Sequence, residues 1–176
     1  MKVTTWLLCF MLIARVSFAQ IHPVEKESGV HFTIKNFGFN VGGSFSDITG
    51  DIGFDPANPG DARFDVKVGA ASINTDNNMR DGHLRGEDYL DVTNYPYIHF
   101  VSVSVRPDKK KGSYQMNGNL TIRNKTKAIR FPFTAVASGS GYLFEGSFKI
   151  NRKDFEVGGS STISDNLTVT LKVLAR

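Results

Sequence analysis

Apolar residues recur at every second position along most of the chain beyond residue 28. Val30, Phe32 and Ile34 alternate with His31, Thr33 and Lys35, the pattern of a strand that buries one face. After Asn36-Phe37-Gly38-Phe39-Asn40 and Gly42-Gly43, a second run carries Ile48, Ile52 and Phe54 on one parity. It meets Asp55-Pro56-Ala57-Asn58-Pro59-Gly60, so rich in turn formers that a hairpin is expected. Phe64, Val66, Val68 and Ala70 mark a third strand. Ile98 and Phe100 begin a fourth, which continues on the other parity through Val101, Val103 and Val105; the change of face implies a bulge. Further strands are expected from Tyr114 to Ile122, Ile129 to Ala135, Phe144 to Ile150 and Leu167 to Val173. Pro132 is off parity, so its strand is expected to be an edge or locally irregular.

About eight strands, joined by turns such as Asp108 to Gly112 and Ser138 to Gly141, predict an all-β antiparallel sandwich or barrel. Closure removes exposed edges, and about eight strands can enclose one small ligand. Phenylalanine dominates the inward faces: of 14 in the chain, 12 remain once Phe10 and Phe18 near the N-terminus are set aside. Two readings fit this stripe, a core packed shut or a barrel open enough to hold a hydrophobic chain, and alternation alone does not separate them.

The only helical signals lie in NNMRDGHLRGEDYLD, residues 77–91. Asn77 or Asn78 can cap a helix, Asp81 and Arg85 make an acid-first i,i+4 pair, and Gly86 can end it. Gly82 weakens it, so a short, mobile element is expected.

The N-terminus changes the picture. MKVTTWLLCFMLIARVSFAQ carries Lys2, an apolar run from Trp6 to Ala14, and Ser17 and Ala19 as small residues, the layout of a cleaved signal peptide. Residues 1–19 are therefore expected to be removed, leaving one domain, 20–176, in the periplasm or secreted. The run is short for a spanning helix and Arg15 interrupts it. Cys9, the only cysteine, lies within it, so the mature chain is expected to lack disulfides and cysteine metal sites. Without Lys2 and Arg15 the 21 Lys and Arg become 19, against 17 Asp and Glu, a balance too even to suggest nucleic acid.

Asp81, His83, Glu87 and Asp88 are the residues one would ask for acid or base chemistry. No GxSxG, HExxH or paired-carboxylate motif accompanies them, and capping and surface ion pairing explain the same side chains. No catalytic residue is assigned; an exported enzyme using His83 with Asp81 or Asp88 on a small or lipid substrate is the alternative. His22, His31, His83 and His99 are too scattered for a metal motif, although His31 and His99 sit on strands that can meet in space. No metal or resident cofactor is expected. Lys109-Lys110-Lys111 reads as a solvated hairpin tip, with contact to anionic lipid heads as the weaker reading.

The ordered set Gly29-Val30-His31-Phe32-Thr33-Ile34-Lys35-Asn36-Phe37-Gly38, Gly50-Asp51-Ile52-Gly53-Phe54-Asp55-Pro56, Arg80-Asp81-Gly82-His83-Leu84-Arg85, Asp88-Tyr89-Leu90-Asp91, Tyr95-Pro96-Tyr97-Ile98-His99-Phe100 and Asn151-Arg152-Lys153-Asp154-Phe155 resembles the YceI-like family of periplasmic and secreted proteins. The resemblance runs over nearly all of the mature chain. It implies a lipocalin-like, eight-stranded antiparallel β-barrel whose interior holds an isoprenoid, a polyprenyl quinone or a fatty-acid-like amphiphile. This sequence departs at Asn36, where the family often has His, and at Gly42, where a basic residue is common, which implies a different head group if those positions touch the ligand.

The expectation is thus a non-enzymatic binding protein for a long-chain amphiphile, serving transport or storage. Its tail-binding wall would be Phe32, Ile34, Phe54, Phe64, Val66, Phe100, Phe131, Phe133, Phe144 and Phe148, and Arg80, His83 and Arg85 would meet the head group or hold a lid. Transient membrane contact is expected of such a carrier. A closed structural or partner-binding barrel is a third reading.

Overall fold

The structure, a computed structural model, describes residues 20–159 and 162–176; the expected leader lies outside the described residues. Strand β1 (Gly29–Asn36) turns through Phe37-Gly38 into β2 (Phe39–Phe45), and β3 (Ile48–Gly53) pairs with β4 (Arg63–Gly69). The helix α1 (Asn78–Arg85) lies in the connection to β5 (Tyr97–Pro107). Strands β6 (Ser113–Ile122), β7 (Lys125–Ser138), β8 (Gly141–Asn151) and β9 (Ile163–Ala175) complete an antiparallel sheet. Its order is β2-β1-β9-β8-β7-β6-β5-β4-β3.

This order closes a barrel by an economical route. The two edge strands, β2 and β3, run in the same direction and are separated only by Ser46 and Asp47. They are one long strand bent in the middle: its first half pairs with β1 and its second with β4. The expected eight strands are therefore present, with the second extended backwards over residues expected to be a connection. The hydrophobic pattern conceals β2 because Gly43 stands at an inward position, where the Phe32 ring lies close over its backbone.

The bend leaves a seam, covered at both ends. Near α1, the backbones of Ser44 and Asn74 exchange hydrogen bonds of 2.8 and 2.9 Å. At the far end, residues 21–24 cross the gap: Ile21 exchanges 2.9 Å bonds with Ile52 on β3, and His22 bonds Arg176 just beyond β9. Backbone groups that an open edge would expose are thereby paired.

Two irregularities follow from individual residues. In β5 the register with β6 shifts between Ser102 and Ser104, the expected bulge, which turns Val103 outward. Strand β7 is not an edge: it pairs with β6 along most of its length but with β8 only from Phe133 to Ser138. Pro132, which has no N–H to donate, sits where β7 and β8 part. The turn Arg152–Phe155 fills the split, with Phe155 only 1% exposed. Glu156 ties that turn to the β6–β7 corner through Lys125 Nζ at 2.9 Å and Arg123 Nη1, which donates to its carbonyl at 2.8 Å.

At the end away from α1 the interior is filled by rings. Phe54 stands edge-on to Tyr142, Tyr114 and Phe144 with centroids 5.1, 5.3 and 5.3 Å away. Such pairs add about 0.5–1.5 kcal/mol each beyond the burial of area. Burial, with Tyr142 and Asp55 nearby, pushes the Tyr114 phenol above its usual range.

Candidate functional site

Above the ring floor the barrel encloses a cavity of about 280 Å³, lined almost entirely by hydrocarbon. Of the expected wall residues, Phe32, Ile34, Phe64, Val66, Phe100, Phe131, Phe133, Phe144 and Phe148 line it. Phe54 does not: five aromatic neighbours enclose its ring and make it the backing of the floor. Alternation assigns a residue to the inward face but says nothing of its height in the barrel. Gly43 and Gly118 also serve the wall, since a Cβ at either would collide with the ring of Phe32 or Phe100 respectively.

The roof is built from residues 70–91. Asn77 caps α1, its side chain accepting from Arg80 N at 3.0 Å, and Gly86 ends it. The expected Asp81–Arg85 ion pair does not form, because both side chains turn to the barrel rim. Asp81 is buried and its Oδ1 accepts from Thr75 N and the Thr75 hydroxyl at 2.9 and 2.5 Å. Arg85 donates to the carbonyls of Ala71 and Ile73, each at 2.8 Å. Leu84, Tyr89 and Leu90 then face the cavity from above.

The three candidate head-group residues separate. Arg80 lines the cavity; Arg85 is a tether and lines neither it nor the adjoining groove; His83 is exposed on the solvent side of α1. Asp88 is exposed as well. His31 and His99 do not meet: His31 lies on β1, whereas His99 on β5 bonds Asp65 at 2.7 Å on the outer surface. The Lys109–Lys111 turn is at the floor end, opposite α1.

Arg152 is the residue the sequence reading missed. Only 7% exposed, it lines the cavity and donates to the carbonyls of Ser164, Val157 and Gly158 at 3.1, 2.8 and 3.0 Å, with Asp165 2.9 Å away. Its one signal was its place in Asn151-Arg152-Lys153-Asp154-Phe155.

A second, polar space adjoins the first. It is an open groove of about 630 Å³ between β2 and residues 74–80, bordered by His31, Asn40, Asp76 and others, and it shares Phe32, Val41, Thr75 and Arg80 with the cavity.

A family model described as the YceI-like domain matches residues 21–175. The chain belongs to the YceI family. Relatives named UPF0312 protein include those of Pseudomonas fluorescens, 34% identical over 82% of this chain and 80% of its own, and Shewanella oneidensis, 34% identical over 83% and 82%. Among solved structures, Burkholderia cenocepacia BcnA superposes with a TM-score of 0.81 at 25% identity, covering 86% of this chain and 98% of its own. A polyisoprenoid-binding domain from Saccharophagus degradans, implicated in plant cell wall breakdown, has a TM-score of 0.70 at 12% identity over 91% and 99%; at that identity the likeness is one of fold. The chain thus has a lipocalin-like, all-β barrel like those of its YceI structural neighbours, with the short helix α1.

Proposed function

We propose that the protein is an exported, non-enzymatic carrier that holds the tail of one isoprenoid or comparable long-chain amphiphile within the barrel, for transport or storage. The observation that carries this reading is the hydrocarbon cavity between the ring floor and the roof of residues 70–91. Its volume is near the lower end of the about 300–1,000 Å³ usual for small-molecule sites. Each CH₂ moved from water into it contributes about 0.8 kcal/mol, so a tail of about ten carbons needs no strong polar anchor. That a polyisoprenoid-binding domain shares the fold supports an isoprenoid as a ligand class the architecture tolerates. Family membership also favours binding over catalysis. The export half of the proposal rests on the pattern of residues 1–19.

Such a carrier must collect its cargo from a membrane, and the exposed apolar side chains fit that need. Phe37 and Phe39 are 73% and 77% exposed, and Met79 is 76% exposed. Phe37 and Phe39 lie at the β1–β2 tip, where Phe39 precedes Asn40, and Met79 precedes Arg80 on α1; Asn40 and Arg80 both border the groove.

Native mass spectrometry of the purified protein tests the carrier reading. A single amphiphile per chain, lost on organic extraction and regained on adding lipid, is the expected result. Protein that is consistently ligand-free and takes up no lipid would overturn it.

A further inference from the structure

We infer that the groove beside β2 is a head-group site for an oxyanion, a carboxylate or phosphate, and that Arg80 is the residue that reads it. The inference rests on the carrier reading and adds the chemistry of the ligand's polar end. Arg80 stands in the wall common to the hydrocarbon cavity and the polar groove, where the junction of an amphiphile's tail and head would fall.

Its guanidinium is held in a fixed orientation. Nε donates to the Thr75 hydroxyl at 2.7 Å and Nη2 to the Thr75 carbonyl at 2.6 Å. The same hydroxyl donates to Asp81, so Asp81 and Thr75 position Arg80. A guanidinium has five N–H donors. These contacts use two and leave the edge formed by Nη1 and Nη2 with two parallel donors, the geometry that matches a carboxylate or phosphate.

Among the described residues no carboxylate forms an ion pair with Arg80. Asp76 is, among the described residues, the one acid bordering the groove; its backbone N–H is turned to the Asn74 side chain. His31, on the groove's other side, offers a further ring nitrogen for hydrogen bonding. An oxyanion on Arg80 would satisfy a cation that is already half-buried, whereas the groove presents the tail of the ligand with no second apolar slot. Tail length is then read by the cavity and head charge by the groove.

The test is displacement of N-phenyl-1-naphthylamine from delipidated protein by palmitate, hexadecyl phosphate and hexadecanol, at low and high salt. A hydrogen bond to a charged group is worth about 1.5–3 kcal/mol, so at least one anion is expected to displace the probe at a concentration about tenfold below hexadecanol. In Arg80→Gln that ratio falls to near one. In Arg85→Gln, which loses the other roof tether but borders neither space, the ratio stays. Palmitate against hexadecyl phosphate decides which oxyanion fits. A ratio near one in the unaltered protein, a ratio that survives Arg80→Gln, or an equal fall in both variants would overturn the head site while the carrier reading stands. Failure of all three lipids to displace the probe would instead overturn the carrier reading, and the head site with it.

Discussion

The Asp81 carboxylate is buried beneath its own helix and accepts hydrogen bonds from both the backbone N–H and the hydroxyl of Thr75. This contact, rather than an ion pair along α1, ties the helix to Thr75, next to Asn74, whose backbone pairs with Ser44 of β2.

Asp81→Ala leaves the buried Thr75 N–H and hydroxyl without their acceptor. The expected loss is about 1–3 kcal/mol of stability, read by urea unfolding. Amide exchange should quicken across residues 70–91 well before the floor strands are affected. Uniform quickening over the whole barrel would show that Asp81 does not act through the roof.

The ring floor sets a depth. Phe144 lines the cavity and packs edge-on to Phe54 and Phe64, with centroids 5.3 Å away in each case. Phe144→Leu removes part of that floor at a cost below the about 3–5 kcal/mol of a ring-to-alanine change. The longest alkyl chain that displaces an apolar probe is expected to increase by a few carbons, while short chains bind more weakly. An unchanged chain-length profile would place the tail elsewhere.

Much of this was readable beforehand. Period-two alternation located every strand except β2, and Phe32, Phe100, Phe131 and Phe148 face inward as their parity requires. Position along the barrel axis was not readable, which is why Phe54 proved to be floor rather than wall. The roles of the roof charges were equally hidden: i,i+4 spacing pairs Asp81 with Arg85 on an isolated helix, but buried backbone donors and carbonyls at the rim compete for both and win. Arg152 escaped notice because a single arginine in a loop carries no periodic signal; burial alone reveals its role.

Arg152→Met tests that role. The substitution keeps an unbranched side chain in the cavity wall but removes the donors for the Val157, Gly158 and Ser164 carbonyls and the partner of Asp165. Asp165 is half exposed and recovers solvation, so most of the loss, roughly 3 kcal/mol, comes from the carbonyls. Thermal unfolding should fall, and limited proteolysis should cut first between Arg152 and Ile163. Arg152→Lys, which keeps the charge but not the planar fork, should recover only part of the difference. Full recovery by Lys would mean that charge alone matters there.

The β1–β2 tip makes the membrane proposal testable. Phe37 adopts φ 48°, a left-handed conformation that disfavours a residue with a Cβ by about 1–2 kcal/mol, yet its ring is left in solvent and packs no core. Replacing it with Asn, which tolerates that conformation, should stabilise the fold or leave it unchanged. The double variant Phe37→Asn with Phe39→Thr should therefore unfold no more readily than the parent. On sedimentation with phosphatidylcholine vesicles it should bind several-fold more weakly, and transfer of a fluorescent lipid from vesicle to protein should slow by a similar factor, while affinity for a soluble short-chain lipid stays constant. Slower transfer with constant affinity separates a docking tip from a ligand wall. Unchanged transfer would exclude the tip from loading and leave Met79, beside Arg80 on α1, as the next candidate.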